Sequence, residues 1–395
     1  MSSSLISIYD NIAYALQLHG NAITKLQEQA SSGNRVNRAS DSPSDAYRII
    51  GLNSQDRSMA SYLASITEFM GSLEMSSSIL SDMATDLADA RTVVTEIVGG
   101  IYDAEGQKQV AQRLDNILEQ LVSMANTKQA GQYLFGGDNT SSAPYRVVRE
   151  EGKVTQVIYE GSHEARSVDM APGLDVEVFH VGDDVFRSDD RGDPIFLGES
   201  GAKAGTGTSN VRGDVWLTVD HDGTNYRLSI DDGATFVTVP AGGQTNQAVT
   251  DSRTGRVLYV DTTGINRTGT EMVRVPGTYD IFGTLISLRD ALINERGVPR
   301  SDLLDFIDRG VAAIEEVRDL IVQKNTTTGS KIEFLNTLKS HMEDIQFNVT
   351  DETTRLQQAD VSQIAIDLSR REVLYQMSLS VAGRLLSTSL LDFIE

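Results

Sequence analysis

The sequence SSGNRVNRASDSPSDA, residues 31–46, separates two long segments in which apolar side chains recur every three or four positions. Gly33 and Pro43 are residue types that end helices, and Asp41 or Ser44 is suited to cap the helix that follows. The periodicity on both sides is typical of amphipathic helices that pack as coiled coils. Residues 31–46 therefore predict an elbow between two helices.

The segments beside this elbow predict one helix over residues 4–32 and a second from about Asp45 to Val98. At 1.5 Å per residue the second helix would be about 80 Å long, and only Ser77 and Arg91 are polar within its stripe. A third helix, predicted over residues 107–130, would return against it as an antiparallel hairpin. The apolar positions of the first two helices include Ile8, Ile12, Leu16, Ile23, Leu26, Leu63, Ile66, Met70, Leu73, Leu80, Leu87 and Val94.

The middle of the chain, residues 131–280, is rich in Gly, Asp, Thr and Val and predicts strands. Residues 215–219 and 226–230 alternate apolar and polar side chains around an Asp-Gly turn, which is a hairpin pattern. Short Val-rich strands are also expected within residues 145–186, and the stretch 198–213 is interpreted as a linker. These features predict one or two β-rich lobes.

Helical periodicity returns over residues 282–292, over 303–317 after Pro299, and in a last long helix predicted over 331–386. The expected fold class is mainly α with an inserted β-rich region. We expect an elongated molecule with antiparallel coiled-coil arms formed by both termini and a β-rich head. The apolar positions of the last helix are Leu335, Leu338, Met342, Ile345, Val349, Leu374, Met377, Val381 and Leu385.

Three domains are predicted from these boundaries. Residues 1–44 with 360–395 form a terminal coiled-coil domain, residues 45–135 with 281–359 a helical rod domain, and residues 136–280 a β-rich variable domain. A chain of 395 residues is long enough for several cores. Since aromatic residues make up only 6% of it, with a single Trp, Leu, Ile and Val seams should dominate these cores.

The composition excludes several classes of partner. A formal net charge of −22 argues against binding to nucleic acid or to anionic membranes. The absence of Cys excludes disulfides and thiolate metal sites. No stretch approaches the apolar length of a membrane span, and residues 1–9 lack the basic start and apolar core of a cleaved secretory signal.

The sequence provides little support for catalysis or for ligand binding. The five His residues are scattered. Residues 220–225 lack the ligand order and the distal Glu of a calcium loop and predict a β-turn, and Arg191-Gly192-Asp193 is interpreted as a chance match to an adhesion tripeptide. No Gly-rich loop has the pattern of a nucleotide site, and no Ser lies in a G-x-S-x-G turn. We therefore predict no enzyme activity, no catalytic residue, no cofactor and no metal site.

The apolar stripes reach almost to both ends of the sequence, which favours assembly over a purely internal core. Such a stripe most often marks the interior of a helical bundle. Patterning rarely persists into fraying ends, however, unless those ends dock on something, and other subunits would complete the burial. The predicted assembly contacts are Leu5, Ile8, Ile12, Leu16, Ile23, Leu26, Leu374, Met377, Val381, Leu385, Leu390, Leu391 and Phe393.

Two motifs near opposite ends of the sequence resemble the flagellin superfamily of the bacterial flagellum. Ser32–Asn37 with Ala39–Asp41 is similar to the S-[ST]-G-x-R-[IV] turn of that superfamily. Ser389–Ile394 is similar to its S-L-L-D-F-[LI] close. The resemblance covers about residues 1–145 and 280–395, and the β-rich middle is a variable region in these proteins.

Two features resemble the superfamily members at the junction between hook and filament more than the flagellins of the filament. Asp41-Ser42-Pro43 is similar to their D-D-P, with Ser42 in place of the second Asp. Residues 125–145 are similar to their A-N-T…Y-[IL]-F-[AG]-G…T-x-P-[FY] segment. Phe236–Asp261 also looks like a hook-type β motif of some flagellin relatives, and a flagellin that forms the filament itself remains the alternative.

The resemblance implies a structural subunit that self-assembles through its terminal helices at the hook-filament junction and adapts hook to filament. It implies type III export without a cleaved signal and an extracellular location on the flagellum. The implied partners are copies of the same chain in a ring or helical tube, neighbouring hook-associated and flagellin subunits, and an export chaperone. No cofactor, nucleic acid or membrane is implied. The elbow residues are Gly33, Arg35, Asp41 and Pro43.

Overall fold

A computed structural model describes residues 2–99, 104–150, 152–171, 173–177, 179–297 and 300–394, and it excludes the side chains of residues 2–9, 98–99 and 385–394. The helices are α1 (Ser2–Ser32), α2 (Pro43–Gly99), α3 (Ala104–Ala125), α4 (Gly182–Phe186), α5 (Ile281–Ile293), α6 (Arg300–Gln357) and α7 (Val361–Ile394). The strands are β1 (Lys128–Gln129), β2 (Gln132–Tyr133), β3 (Tyr145–Glu150), β4 (Lys153–Tyr159), β5 (Ser167–Ala171), β6 (Leu174–Glu177), β7 (Ile195–Leu197), β8 (Lys203–Ala204), β9 (Gly213–His221), β10 (Tyr226–Ser229), β11 (Val237–Thr238), β12 (Gln247–Thr250), β13 (Val257–Asp261) and β14 (Gly269–Val275).

The chain divides into two compact units. The terminal unit comprises Met1–Ser65 with Thr337–Glu395, and the central unit comprises Ile66–Asn336. Strands lie between the helices of the N-terminal and C-terminal parts, so the predicted class, mainly α with an inserted β-rich region, is confirmed. The division between the units falls within α2 and α6, whereas the three predicted domains were bounded at the elbow and at residue 360; that finer division stays a prediction.

In the central unit, α2 buries one large apolar residue every seven positions. Ile66, Leu73, Leu80, Leu87 and Val94 are all nearly or fully inaccessible to solvent. Strict seven-residue spacing keeps a seam on one side of a helix that packs as a coiled coil. The buried residues of α6 at the same spacing are Ile307, Ile314, Ile321, Thr328 and Leu335.

The two polar residues in the predicted stripe of α2 have partners on α6. Ser77 donates its hydroxyl proton to Oδ1 of Asn325 at 2.7 Å, and Arg91 forms an ion pair with Glu315 at 2.8 Å. Residue numbers rise along one helix as they fall along the other, so the two helices are antiparallel here. Both polar residues thus contact the neighbouring helix without leaving a buried group unpaired.

Helix α6 continues without a break from Arg300 to Gln357, so the predicted start of a separate helix at Lys331 is wrong. The sequence before that position is rich in Thr, a weak helix former. The structure accommodates it because the hydroxyls of Thr326, Thr327 and Thr328 each donate to the carbonyl oxygen four residues earlier. Thr328 is also buried in the seam, which further stabilises the helix. Tertiary packing therefore outweighs the weak helix propensity of the Thr residues.

The segment after α3 explains why that helix ends at Ala125 and not at the predicted residue 130. The side chain of Asn126 forms two hydrogen bonds with the backbone of Tyr145. Its Nδ2 donates to the carbonyl oxygen at 2.9 Å, and its Oδ1 accepts from the amide at 3.0 Å. The chain between them forms the short β1–β2 hairpin. At Gly136 a Cβ would lie 2.2 Å from the carbonyl oxygen of Asn139, so the close approach requires glycine.

The β-rich region contains one five-stranded antiparallel sheet, in the order β11-β10-β9-β14-β7, and one three-stranded sheet, in the order β12-β13-β8. The predicted hairpin over residues 215–230 is confirmed as β9–β10, which turns through Asp222 and Gly223. Hairpins β3–β4 and β5–β6 confirm the strands predicted within residues 145–186. Apolar side chains from both larger sheets meet in a common core that includes Leu217, Leu258 and Val273.

The stretch 198–213, predicted as a linker, is part of this core, and the prediction is wrong. Ala202 and Val211 are buried among the apolar residues of the sheets. Strand β8 pairs with β13, and the amide of Ser200 donates to the buried carboxylate of Glu271 at 3.2 Å. The small and polar residues of this stretch show no periodic pattern that would predict their burial. They are buried by contacts with residues far away in sequence.

His180 lies in a desolvated position of the central unit. Its Nε2 is 3.2 Å from the hydroxyl oxygen of Thr328, and its ring stacks on Phe135 with 6.2 Å between centroids. Burial, reinforced by the charges of Lys331 and Lys324, lowers the pKa of His180 to about 4. The imidazole is therefore neutral in the folded chain at pH 7.

We expect the central unit to lose stability in mild acid through His180. Because the folded pKa of about 4 lies below the ordinary value of 6.5, the unfolded chain binds the proton more tightly, and stability falls as pH drops below 6.5. Between pH 7.5 and pH 4.5 this contributes a loss of about 2.5 kcal/mol in the free energy of unfolding. Urea titrations at both pH values measure it, with His180→Gln as the control. An equal acid loss in the variant would contradict the assignment.

Candidate functional site

Helices α1 and α7 pair in antiparallel orientation within the terminal unit. Nη1 of Arg371 lies 3.3 Å from Nδ1 of His19, and Gly20 faces the ring of Tyr375. At the other end of α1, Asn34 forms a β-bridge with Gln358. The pairing brings together the two parts of the sequence on which the predicted assembly contacts lie.

The predicted contacts on this pair are only partly covered. None of the described side chains of α1, residues 10–32, is fully buried. The half-buried members of the predicted set are Ile12, Leu16, Ile23, Leu26 and Leu374. The side chains of Leu5, Ile8, Leu385, Leu390, Leu391 and Phe393 lie outside the described residues. Pairing within one chain therefore leaves the seam incompletely covered.

Helix α7 carries a second apolar stripe on another face. Ile366, Val373, Met377 and Val381 are 62%, 54%, 62% and 51% exposed. At about 100° per residue these four positions fall within a sector of about 80°. The sector is centred about 140° from Arg371 and Tyr375, the residues that contact α1. We call these four residues the outer stripe of α7. Met377 and Val381 thus do not share the face that packs on α1, although the sequence grouped them with Leu374 in one seam.

Exposed apolar residues occur throughout the terminal unit and outnumber its buried ones among the described side chains. The further exposed residues are Tyr14, Leu18, Tyr47, Ile50, Ile345, Phe347, Val361 and Leu379. The buried apolar residues are Ala46, Ile49, Met342, Val349, Ala359 and Ile364. Exposed apolar surface of this extent is typical of regions that contact other proteins.

The predicted elbow is confirmed as a turn between α1 and α2, and it is bonded to a second break, between α6 and α7. Gly33 adopts a φ of 70°, and its carbonyl oxygen accepts from the amide of Ala359 at 3.0 Å. The amide of Arg35 donates to the carbonyl oxygen of Gln357 at 2.6 Å. We call residues 33–45 with 356–360 the joint.

Charged side chains hold the joint together. Nη2 of Arg35 donates to Asp45 at 2.9 Å and to the carbonyl oxygen of Leu356 at 3.1 Å. Asp41 pairs with Lys25 at 2.9 Å and accepts from two backbone amides of the loop. The hydrogen bond from Lys25, followed by those amides, lowers the pKa of Asp41 below its ordinary value. Helix α2 begins at Pro43, whose fixed φ suits a first helical position.

Replacing Gly33 with Ala should destabilise the joint, since an L-residue with a side chain pays about 1–2 kcal/mol in the left-handed region. Gly51 is the matched control: it lies inside α2 with nothing within 4 Å of its Cβ position. Gly51→Ala should stabilise the helix by up to about 1 kcal/mol. Amide hydrogen exchange across residues 26–60 measures both effects. Changes of the same sign in the two variants would contradict the role given to Gly33.

Sequence reasoning missed the second half of the joint. Asp360 begins α7 as a cap: its Oδ1 accepts from the amides of Ser362 and Gln363 at 2.9 and 3.1 Å. Asp followed three positions later by Gln, just before an apolar run, is the sequence pattern of a helix start. That pattern was present and would have located the break.

The remaining candidate motifs have structural roles. Oδ1 of Asp222 accepts from the amides of Thr224 and Asn225 in a turn, as predicted. The guanidinium of Arg191 donates to the carbonyl oxygens of Ser209 and Val211. Within the described residues, no group of three or more His, Cys, Asp or Glu is placed to hold a metal ion. No helix in the described part of the chain is long and apolar enough to cross a membrane.

Comparison with known proteins identifies a family and several proteins to which this chain is similar. The bacterial flagellin N-terminal helical region family matches residues 8–140. Flagellar hook-associated protein 3 of Escherichia coli is 27% identical over 165 residues, which cover 42% of this chain and 50% of that protein. The corresponding protein of Salmonella typhimurium is 25% identical over the same length. The chain thus spans about half the length of the curated relatives it matches.

Solved structures show the same fold at low sequence identity. The flagellar hook-associated protein-3 of Legionella pneumophila superposes with a TM-score of 0.54 at 17% identity and covers 78% of this chain and 98% of that one. FlgL of Xanthomonas campestris gives 0.51 at 16% identity, with 76% and 98% covered. Residues 8–140 therefore match the N-terminal helical region of the bacterial flagellins, and the chain is similar to flagellar hook-associated protein 3.

Proposed function

We propose that this protein is a structural subunit of the bacterial flagellum that assembles through its terminal helices at the junction between hook and filament. The outer stripe of α7 is the observation that supports this most directly. Its four apolar side chains are more than half exposed in the single chain, and the pairing with α1 does not use them. A neighbouring subunit is the natural cover for such a stripe.

The energetics favour a stable assembly. Burial of one large apolar side chain contributes about 1.5–3 kcal/mol, and the outer stripe supplies four of them per copy. We propose that the stripe packs on a different surface of the next copy, so that the contact between copies is head to tail. Such contacts generate a ring or a helical tube. We propose that copies of this chain, hook-associated proteins and flagellin are the neighbours.

The junction is favoured over the filament by the identity of the relatives. The two curated proteins that match are both flagellar hook-associated protein 3. Asp41-Ser42-Pro43, which resembles the junction members, lies within the matched N-terminal region, and the similar segment 125–145 begins within it. A flagellin that forms the filament itself is the second candidate, supported by the match to the flagellin N-terminal helical region.

Export and location follow from the same proposal. The chain would leave the cell through the flagellar type III channel, without a cleaved signal and with the help of an export chaperone, and would act outside the cell on the flagellum. Its terminal helices would then gain their full packing from neighbouring subunits, so that burial on assembly offsets the entropy of ordering them. We propose no catalytic role.

A deletion strain tests this function. Electron microscopy of the strain should show hooks without filaments, and the intact gene should restore filaments. Purified protein alone should not form long filaments. Normal filaments in the deletion strain would overturn the junction role, and spontaneous long filaments of the purified protein would favour the flagellin.

A further inference from the structure

A cavity of about 230 Å³ lies in the central unit, beside hairpin β3–β4, α4 and the start of α5. Its apolar wall is aromatic and includes Tyr145 and Phe282. Three arginines, Arg187, Arg212 and Arg256, line the same space. We call it the arginine cavity. Neither the assembly of the terminal helices nor the family resemblance uses it.

The three guanidinium groups are poorly matched by anions of the protein. Arg187 donates from Nη1 to Asp183 at 2.5 Å, but its Nε is buried and has no hydrogen-bond partner. Within the described residues, the side chains of Arg212 and Arg256 form no hydrogen bond and no ion pair closer than 4.0 Å. Nε of Arg187 is thus a buried donor without a partner, which is uncommon in folded proteins. Arg212 is half-buried and Arg256 is exposed.

The two carboxylates of the cavity offset its positive charge only in part. Asp183 pairs with Arg187 and lies 3.6 Å from Nδ1 of His163. Asp280 caps helix α5, where its Oδ1 accepts from the amide of Gly283 at 2.6 Å. Burial raises the pKa of Asp280, which weakens its value as a counter-ion.

Three arginines against two carboxylates leave an excess of positive charge at the cavity. Desolvation, followed by repulsion from Arg187 and Arg256, lowers the pKa of Arg212. This occurs in a chain whose formal net charge is −22, so a general excess of basic residues does not explain it. Neighbouring like charges disfavour one another, and an added anion would reduce that repulsion.

We propose that the arginine cavity binds a small oxyanion, the phosphate or carboxylate group of a molecule of about single-sugar size. The planar guanidinium groups match the two oxygens of either group in bidentate geometry. The aromatic wall would contact the apolar part of the ligand. Gln156, Arg212 and Arg256 also line an adjoining groove, into which a larger ligand would extend.

Calorimetry and thermal unfolding of the full-length chain test the proposal, with inorganic phosphate, glucuronate and neutral glucose as probes at millimolar concentration. Phosphate or glucuronate should release or absorb heat on binding and raise the unfolding temperature, whereas glucose should not. Binding of phosphate alone identifies a phosphate ligand, and binding of glucuronate alone identifies a carboxylate ligand. Arg212→Gln should weaken the binding at least about tenfold, as expected for loss of a charge-assisted hydrogen bond.

Arg267→Gln is the matched control. Arg267 is exposed, does not line the cavity, and forms an ion pair with Glu199 at an N–O distance of 2.7 Å. It should leave binding unchanged. Without ligand, Arg212→Gln should not lower the unfolding temperature, because it relieves repulsion; Arg256→Gln gives the same readout at a second position. The proposal is overturned if neither anion binds, or if both bind Arg212→Gln as tightly as the unmodified chain. That result would leave the assembly proposal, which concerns the terminal unit, untouched.

Discussion

We expect a chain in which Met377 is replaced by Asp to fail to restore filaments in a deletion strain, although its monomer should unfold at the same temperature as the unmodified protein. Met377 is 62% exposed in the middle of the outer stripe, and exposed substitutions change monomer stability by only about 0.5 kcal/mol. In the assembly the same position would be covered. The variant loses the burial of Met, about 1.5–3 kcal/mol, and adds the cost of an unpaired buried carboxylate.

Together these terms lower the affinity between subunits by at least about a thousandfold. Gln376→Asp is the control, because it adds the same charge to the same helix at an exposed position about 100° away from Met377. Motility and electron microscopy of complemented strains, with secreted protein measured by immunoblot, separate assembly from export. Restoration by both variants, or by neither, would show that the outer stripe does not make the contact.

Replacing Asp214 with Ala should destabilise the central unit by about 3–5 kcal/mol, the usual cost of removing one partner from a buried ion pair. Asp214 on β9 lies directly opposite Arg274 on β14, and the two side chains are only 3% and 5% exposed. Two parallel hydrogen bonds of 2.8 and 2.9 Å join them. The Arg274 guanidinium also lies over the ring of Phe306. Without Asp214 its charge stays buried and unpaired.

The same sheet provides a matched control. Asp220 pairs with Arg227 across β9 and β10, but both side chains are more than one third exposed. Asp220→Ala should therefore cost no more than about 1 kcal/mol. Urea unfolding followed by the fluorescence of the single Trp, Trp216 on β9, reports on both variants. Adding Arg274→Leu to Asp214→Ala should recover much of the loss, and equal losses for the two single variants would contradict the account.

Local patterns predicted much of the helical architecture and the position of the elbow. Gly33 and Pro43 mark the break, and the heptads of α2 mark a seam, because both depend only on residues close in sequence. The same reasoning placed a false break at Lys331, where Thr hydroxyls bonded to the helix backbone and burial of Thr328 kept α6 continuous. It also overlooked the cap at Asp360, whose pattern was present.

The sequence by itself determined that long amphipathic helices flank a β-rich region and that their apolar stripes reach toward both ends. Only the tertiary structure decided which stripe packs inside the chain. Leu374 is half-buried, whereas Met377 and Val381 are more than half exposed and lie in the outer stripe. It likewise decided that residues 198–213 enter a core and that three arginines line one cavity. Periodicity records that a face is apolar, but the surface that covers it is set by contacts between residues far apart in sequence.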